Sequence, residues 1–371
     1  MANRYWVGGT GTWNGVSTAN WATASGGVSG ASAPTVVDNV TFDANSGSGI
    51  VTTAAGSTCN DAVLNFSDVE LVIGASHVMT NRFTLSAGTL NLNNNTLTCG
   101  LFKSDSGVAR TLNINGGVIE LTAAGTHWDT SPSDNLFITE NPIVNVTYAG
   151  ATACTFATGV LNEATAPSVN FSAGTYALTL TSFFNDIVFT GFSGTLNNGT
   201  RTIYGDFVVD AGMTLNAGAS AITFADTSSS QQITTANKTI DFPLVVNGIG
   251  GTVEFQDALT QGSTRAFTIT NGTVKLKAGV TSTVGAFTTS GTNQKFLQST
   301  LAGSQATLSQ ASGTVNASYL TIQDINATGG ATWNAYTTNN NVDAGNNMGW
   351  DFSTQLGRYI YTRRKNKRLL P

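Results

Sequence analysis

The chain has 371 residues, of which 10% are charged and 40% hydrophobic, with 41 glycines, six prolines and a net charge of −5. Soluble domains usually carry about 25% charged residues, and the acidic balance argues against a general nucleic-acid binder. The apolar share and its regular alternation argue against disorder, and no run approaches the ~18 apolar residues of a membrane helix.

Residues 1–45 hold three of the six tryptophans, Trp6, Trp13 and Trp21. Large aromatics suit the atypical end unit that a stacked repeat needs over its first open coil, so this segment is read as an aromatic N-terminal cap. Met1-Ala2-Asn3-Arg4-Tyr5-Trp6 lacks the long apolar run of a signal peptide. The expectation is synthesis in a cytoplasm without use of the general secretory route, and no membrane insertion.

The body, residues 46–303, repeats a short phrase of small residue, glycine, threonine and apolar residue. It reads Ser86-Ala87-Gly88-Thr89-Leu90, Ser172-Ala173-Gly174-Thr175-Tyr176, Ser193-Gly194-Thr195-Leu196, Gly250-Gly251-Thr252-Val253 and Asn271-Gly272-Thr273-Val274, and it returns at Ser312-Gly313-Thr314-Val315. Glycines 174, 194, 212, 251 and 272 lie 20, 18, 39 and 21 apart, and the longest interval is close to two turns of about 20 residues. Glycine permits the corner, and the alternation after it is that of a half-buried strand. Phe83-Thr84-Leu85, Leu90-Asn91-Leu92 and Thr96-Leu97-Thr98 read as three strands per coil. Ser182 to Phe189 and Thr239 to Val246 read as one strand each. A unit this short cannot bury its apolar face alone, so the coils must stack. The expectation is an all-β chain, a right-handed parallel β-solenoid (β-helix) of about 12 coils and roughly 60 Å.

Residues 304–352 read as C-terminal capping coils and 353–371 as a basic tail. The tail carries six of the sixteen basic residues. Such a run is a solvated tail or a peg docking on an acidic partner. For the peg the docking residues are Tyr359, Tyr361, Arg363, Arg364, Lys365, Lys367, Arg368, Leu369 and Leu370.

Two blocks carry a resemblance. Trp6-Val7-Gly8-Gly9-Thr10-Gly11-Thr12-Trp13, Ala19-Asn20-Trp21, Ala33-Pro34 and Asp38-Asn39-Val40-Thr41-Phe42-Asp43 resemble the opening of β-helical bacteriophage virion proteins, and also of autotransporter-type surface passengers. Residues 310–352, ending Asn346-Asn347-Met348-Gly349-Trp350-Asp351-Phe352, resemble the last coils of such tail and surface proteins. The resemblance implies a non-catalytic virion surface component, such as a tail fibre, spike or head appendage. Its expected partners are other virion proteins and a host surface glycan, with a homotrimer among the assemblies such fibres form. Two alternatives stand beside it: a bacterial surface adhesin exported by a non-classical route, and a polysaccharide depolymerase of the β-helix type.

Little in the sequence speaks for catalysis, and no cofactor or metal is expected. Gly9-Thr10-Gly11 with Gly15 lacks the strand before and helix after that would place a pyrophosphate. His77 and His127 are the only histidines, without G-x-S-x-G or H-E-x-x-H. Cys59, Cys99 and Cys154 form no C-x-x-C pair and read as buried core residues. A glycosidase needs two carboxyls about 5 to 9 Å apart, which neighbouring coils could supply. The candidates are Asp129 with Asp134, Asp206 with Asp210, and Glu254 with Asp257, each read first as a turn or solubilising residue. His127-Trp128-Asp129 is the most site-like triplet, because tryptophan stacks on sugars. It is read as a loop, with Asp129 the catalytic candidate. Asp343-Ala344-Gly345-Asn346-Asn347 offers oxygens but matches no calcium motif, so a turn is expected there.

Overall fold

The computed structural model describes residues 1–354, so the proposed docking residues of the tail, Tyr359 to Leu370, lie outside the described residues. Among those described there is no α-helix, only one 3-10 turn at Thr337–Asn339. Strand follows strand, and each pairs in parallel with its counterpart one coil away. Thirty-two strands form one continuous sheet, with sheets of five and three strands among the C-terminal coils. The result is a β-solenoid of about 14 turns, roughly 65 Å long at ~4.8 Å per coil.

That is more than the 12 coils expected, because strands near both termini stack as well. Asn3–Trp6 pairs in parallel with Asn39–Phe42, and Gly11–Trp13 with Gly49–Thr53. Val342–Asp343 and Trp350–Asp351 extend the stack at the other end. One pairing runs the other way: Trp21–Ala22 is antiparallel to Asn3–Trp6. It occupies the edge that Asn39–Phe42 leaves open and so satisfies main-chain groups that would otherwise template aggregation.

The strand Arg82–Asn91 shows how sequence becomes coil. Phe83, Leu85 and Leu90 point inward, while Thr84, Ser86, Thr89 and Asn91 are half-exposed. The alternation breaks at Ala87 and Gly88, both buried, where the preceding coil's strand also shifts register. Two of the three expected strands are therefore one strand bent at its glycine. Gly88 has φ +83°, and a Cβ there would sit 2.5 Å from the Phe66 carbonyl oxygen and 2.6 Å from that of Val69. Gly88→Ala should cost about 2–4 kcal/mol from left-handed strain plus overpacking, read as a lowered urea midpoint. Gly107→Ala, where a Cβ meets nothing within 4 Å, should be close to neutral.

Two other expected strands are split. Ser182 to Phe189 turns at Asn185 and Asp186, between Ala177–Phe184 and Ile187–Phe189. Thr239 to Val246 breaks at Asp241 to Pro243, between Thr239–Ile240 and Leu244–Phe255, where proline has no N–H for a ladder.

One contiguous apolar core runs along the stack. Trp6, Trp13 and Trp21 are at most 1% exposed and meet near Phe42, with ring centroids 5.1 Å apart for Trp6–Trp21 and 5.4 Å for Trp13–Trp21. Further along, Phe83, Phe102, Trp128 and Phe156 stack coil upon coil at 6.0, 4.4 and 5.8 Å. Outside, the same one-coil register lines up small polar side chains. Asn271 donates to Asn247 at 2.7 Å and Asn293 to Asn271 at 2.8 Å. Thr268 meets Thr288, and Thr270 meets Ser290, each at 2.8 Å.

Candidate functional site

The triplet His127-Trp128-Asp129, expected as a loop, is the strand Thr126–Asp129. Its neighbour's register shifts between Thr126 and Trp128, so a bulge turns His127 and Trp128 inward together. Trp128 is fully buried in the aromatic stack and its Nε1 donates to Thr130 Oγ1 at 3.0 Å. It offers no platform to a sugar.

Both histidines are interior groups. His77 Nδ1 lies 2.8 Å from Ser57 Oγ, and its ring stands edge-on to Trp13 at 4.7 Å. His127 sits between Tyr148 and Tyr176, and neither of its nitrogens finds a partner among the described residues. Burial pulls both imidazoles down to about 4, so they are neutral at pH 7. The three cysteines are free and buried, and burial pushes their thiols up, Cys99 to about 12.

Asp134 apart, the carboxylates of the proposed pairs are engaged elsewhere, each with partners of its own. Asp129 Oδ1 accepts from the Ser131 N–H at 3.3 Å, whereas exposed Asp134 offers its main-chain carbonyl to Arg110 at 2.7 Å. Asp210 closes its own turn onto the Gly212 N–H at 2.7 Å. Glu254 faces Lys275 at 3.8 Å, and Asp257 holds the Thr235 and Asn237 N–H groups. Asp343 likewise accepts from the Gly345 N–H and Asn347. Among the described residues no three His, Cys, Asp or Glu side chains gather as a metal set. A strand, Asn3–Trp6, does precede Gly9-Thr10-Gly11, contrary to the sequence reading, but another strand, Gly11–Trp13, follows where a nucleotide loop needs a helix.

The true neighbour of Asp206 is Asp186, one coil back. Asp186 Oδ1 accepts from the Asp206 N–H, and Asp206 Oδ1 from the Gln232 N–H, each at 2.7 Å. Ser168 Oγ donates to Asp186 at 2.6 Å. Burial, helped by the Asp186 charge, raises the Asp206 carboxyl, against the Gln232 hydrogen bond. These carboxylates staple successive coils. The 20-residue spacing was the available signal, and the sequence pairing with Asp210 overlooked it.

A cleft of about 330 Å³ opens on one outer face, where three successive coils supply Arg82, Lys103 and Asp129 around Leu101, Gly125 and Thr126. Lys103 and Asp129 are register partners, yet Lys103 reaches instead to Asp105 at 3.0 Å. Arg82's guanidinium has no hydrogen bond or ion pair among the described residues; only its main-chain N–H is engaged, by Asp61 at 2.9 Å. Among the described residues Asp129 is the sole carboxylate lining the cleft. Arg82 and Lys103 escaped the sequence reading, although their separation of 21 positions is one coil.

Compared with protein-family models, curated proteins and solved structures, the chain matches none.

Proposed function

We propose that the chain is a non-catalytic surface component of a bacteriophage virion, a rigid rod serving as tail fibre, spike or head appendage. One observation carries the rod: the coils are tied together outside as well as inside. Ladders of uncharged side chains run between coils at many levels, from Asn60 to Asn39 at 3.1 Å, through Asn216 to Asn197, to Asn334 to Asn316, the last two at 2.8 Å. Such stacked amide rows resist shear and present few charges to the medium. The ten-per-cent charge content fits a particle part exposed to variable salt. The virion setting rests on the resemblance of residues 1–45 and 310–352.

Particles purified by density gradient should contain the chain at a fixed stoichiometry by mass spectrometry. Its absence from particles, together with its presence on uninfected cells, would overturn the reading in favour of an adhesin. Release of reducing ends or unsaturated sugars from host polysaccharide would overturn its non-catalytic part.

A further inference from the structure

We infer that the cleft between Arg82, Lys103 and Asp129 is a binding site for a carboxylate-bearing sugar, a uronic-acid unit. The bulge at His127 shapes the recess, since it turns both His127 and Trp128 inward where strict alternation would leave one of them on the outer face, and Gly125 and Thr126 line the cleft beside it. About 330 Å³ is the size class of a small-ligand site. Two cations stand one coil apart on its wall: Lys103 is paired with Asp105 at 3.0 Å, whereas the Arg82 guanidinium has its fork unengaged among the described residues. That geometry suits a planar carboxylate held bidentately.

The third wall decides the ligand's charge. Asp129 spends one oxygen on the Ser131 N–H, and the other remains to accept from a hydroxyl. A carboxylate beside a dianionic phosphate would repel it, whereas a monoanion flanked by hydroxyls satisfies both the unengaged Arg82 fork and Asp129. Thr126 Oγ1 accepts from Thr155 at 3.0 Å and keeps its own proton to donate. Hydroxyl donors and acceptors around a single negative charge describe a sugar acid.

The site stands apart from the virion reading, because location on a particle and affinity for a uronate are measured separately. The test is calorimetric titration of the full chain with tri-galacturonate at two ionic strengths, with neutral trigalactose and inorganic phosphate as further probes. Saturable binding is expected for tri-galacturonate, weaker at the higher salt, with none for trigalactose. Arg82→Gln should weaken it about tenfold or more through loss of the charge-assisted fork, and Lys103→Gln by less. Arg82→Gln should leave the melting temperature nearly unchanged, because the exposed side chain has no hydrogen bond or ion pair to lose among the described residues. The inference fails if no saturable heat is seen, if Arg82→Gln binds like the parent, or if phosphate binds as tightly as tri-galacturonate.

Discussion

Lowering the pH from 7 to 4 should destabilise the solenoid by about 3 kcal/mol for each of its two histidines. In the folded chain burial holds His77 and His127 near 4, against an ordinary value of 6.5. The unfolded chain therefore binds protons between those values and the folded chain does not. Stability is fully present above pH 6.5, falls as pH drops through the window, and levels off for this contribution below 4. Carboxylates such as Asp38, held low by Thr35 and the Ala2 N–H despite its burial, add their own loss only at the acid end. Urea midpoints across this range should show the slope. His127→Phe should remove about half of it, because an aromatic ring fits between Tyr148 and Tyr176 and leaves no nitrogen unpartnered. A flat profile from pH 7 to 4 would mean that the two rings are hydrated.

The second large effect lies in the aromatic stack. Trp128→Ala should cost about 3–5 kcal/mol, since the ring is fully buried between Phe102 and Phe156 and cannot be replaced by water without a cavity. Trp128→Phe keeps the stack and should cost much less. Because each coil contacts chiefly its neighbours, the alanine variant should lose hydrogen-exchange protection first in the strands Leu101–Lys103, Thr126–Asp129 and Cys154–Ala157. Uniform loss along the whole rod would show a more cooperative solenoid than nearest-neighbour stacking implies.

The architecture was legible because it is written in spacing. The recurrence near 20 residues and the alternation after each glycine specify parallel coils without reference to any distant contact. Corners were less legible. Gly88 bends a strand instead of ending it, and Asn185-Asp186 turns inside a run whose aliphatic and aromatic load reads as one strand. Both depend on what the coil before them does. The cleft was hardest to see, because its residues lie in three different coils and its depth comes from a bulge that periodicity does not announce. His127-Trp128-Asp129 drew attention for its composition, but two of its three side chains point into the core. Arg110, Arg201 and Lys295 were equally hidden: all three are buried, and each donates to main-chain carbonyls where a surface role is the usual reading of a cation.

Immunogold labelling of intact purified phage particles, with an antibody against residues 46–303, bears on the virion assignment without any assumption about ligand. The assignment predicts gold on the outside of the particle, at tail tips for an adsorption fibre or over the head for an appendage. Particles that stay unlabelled while the surface of uninfected cells takes the gold would contradict it.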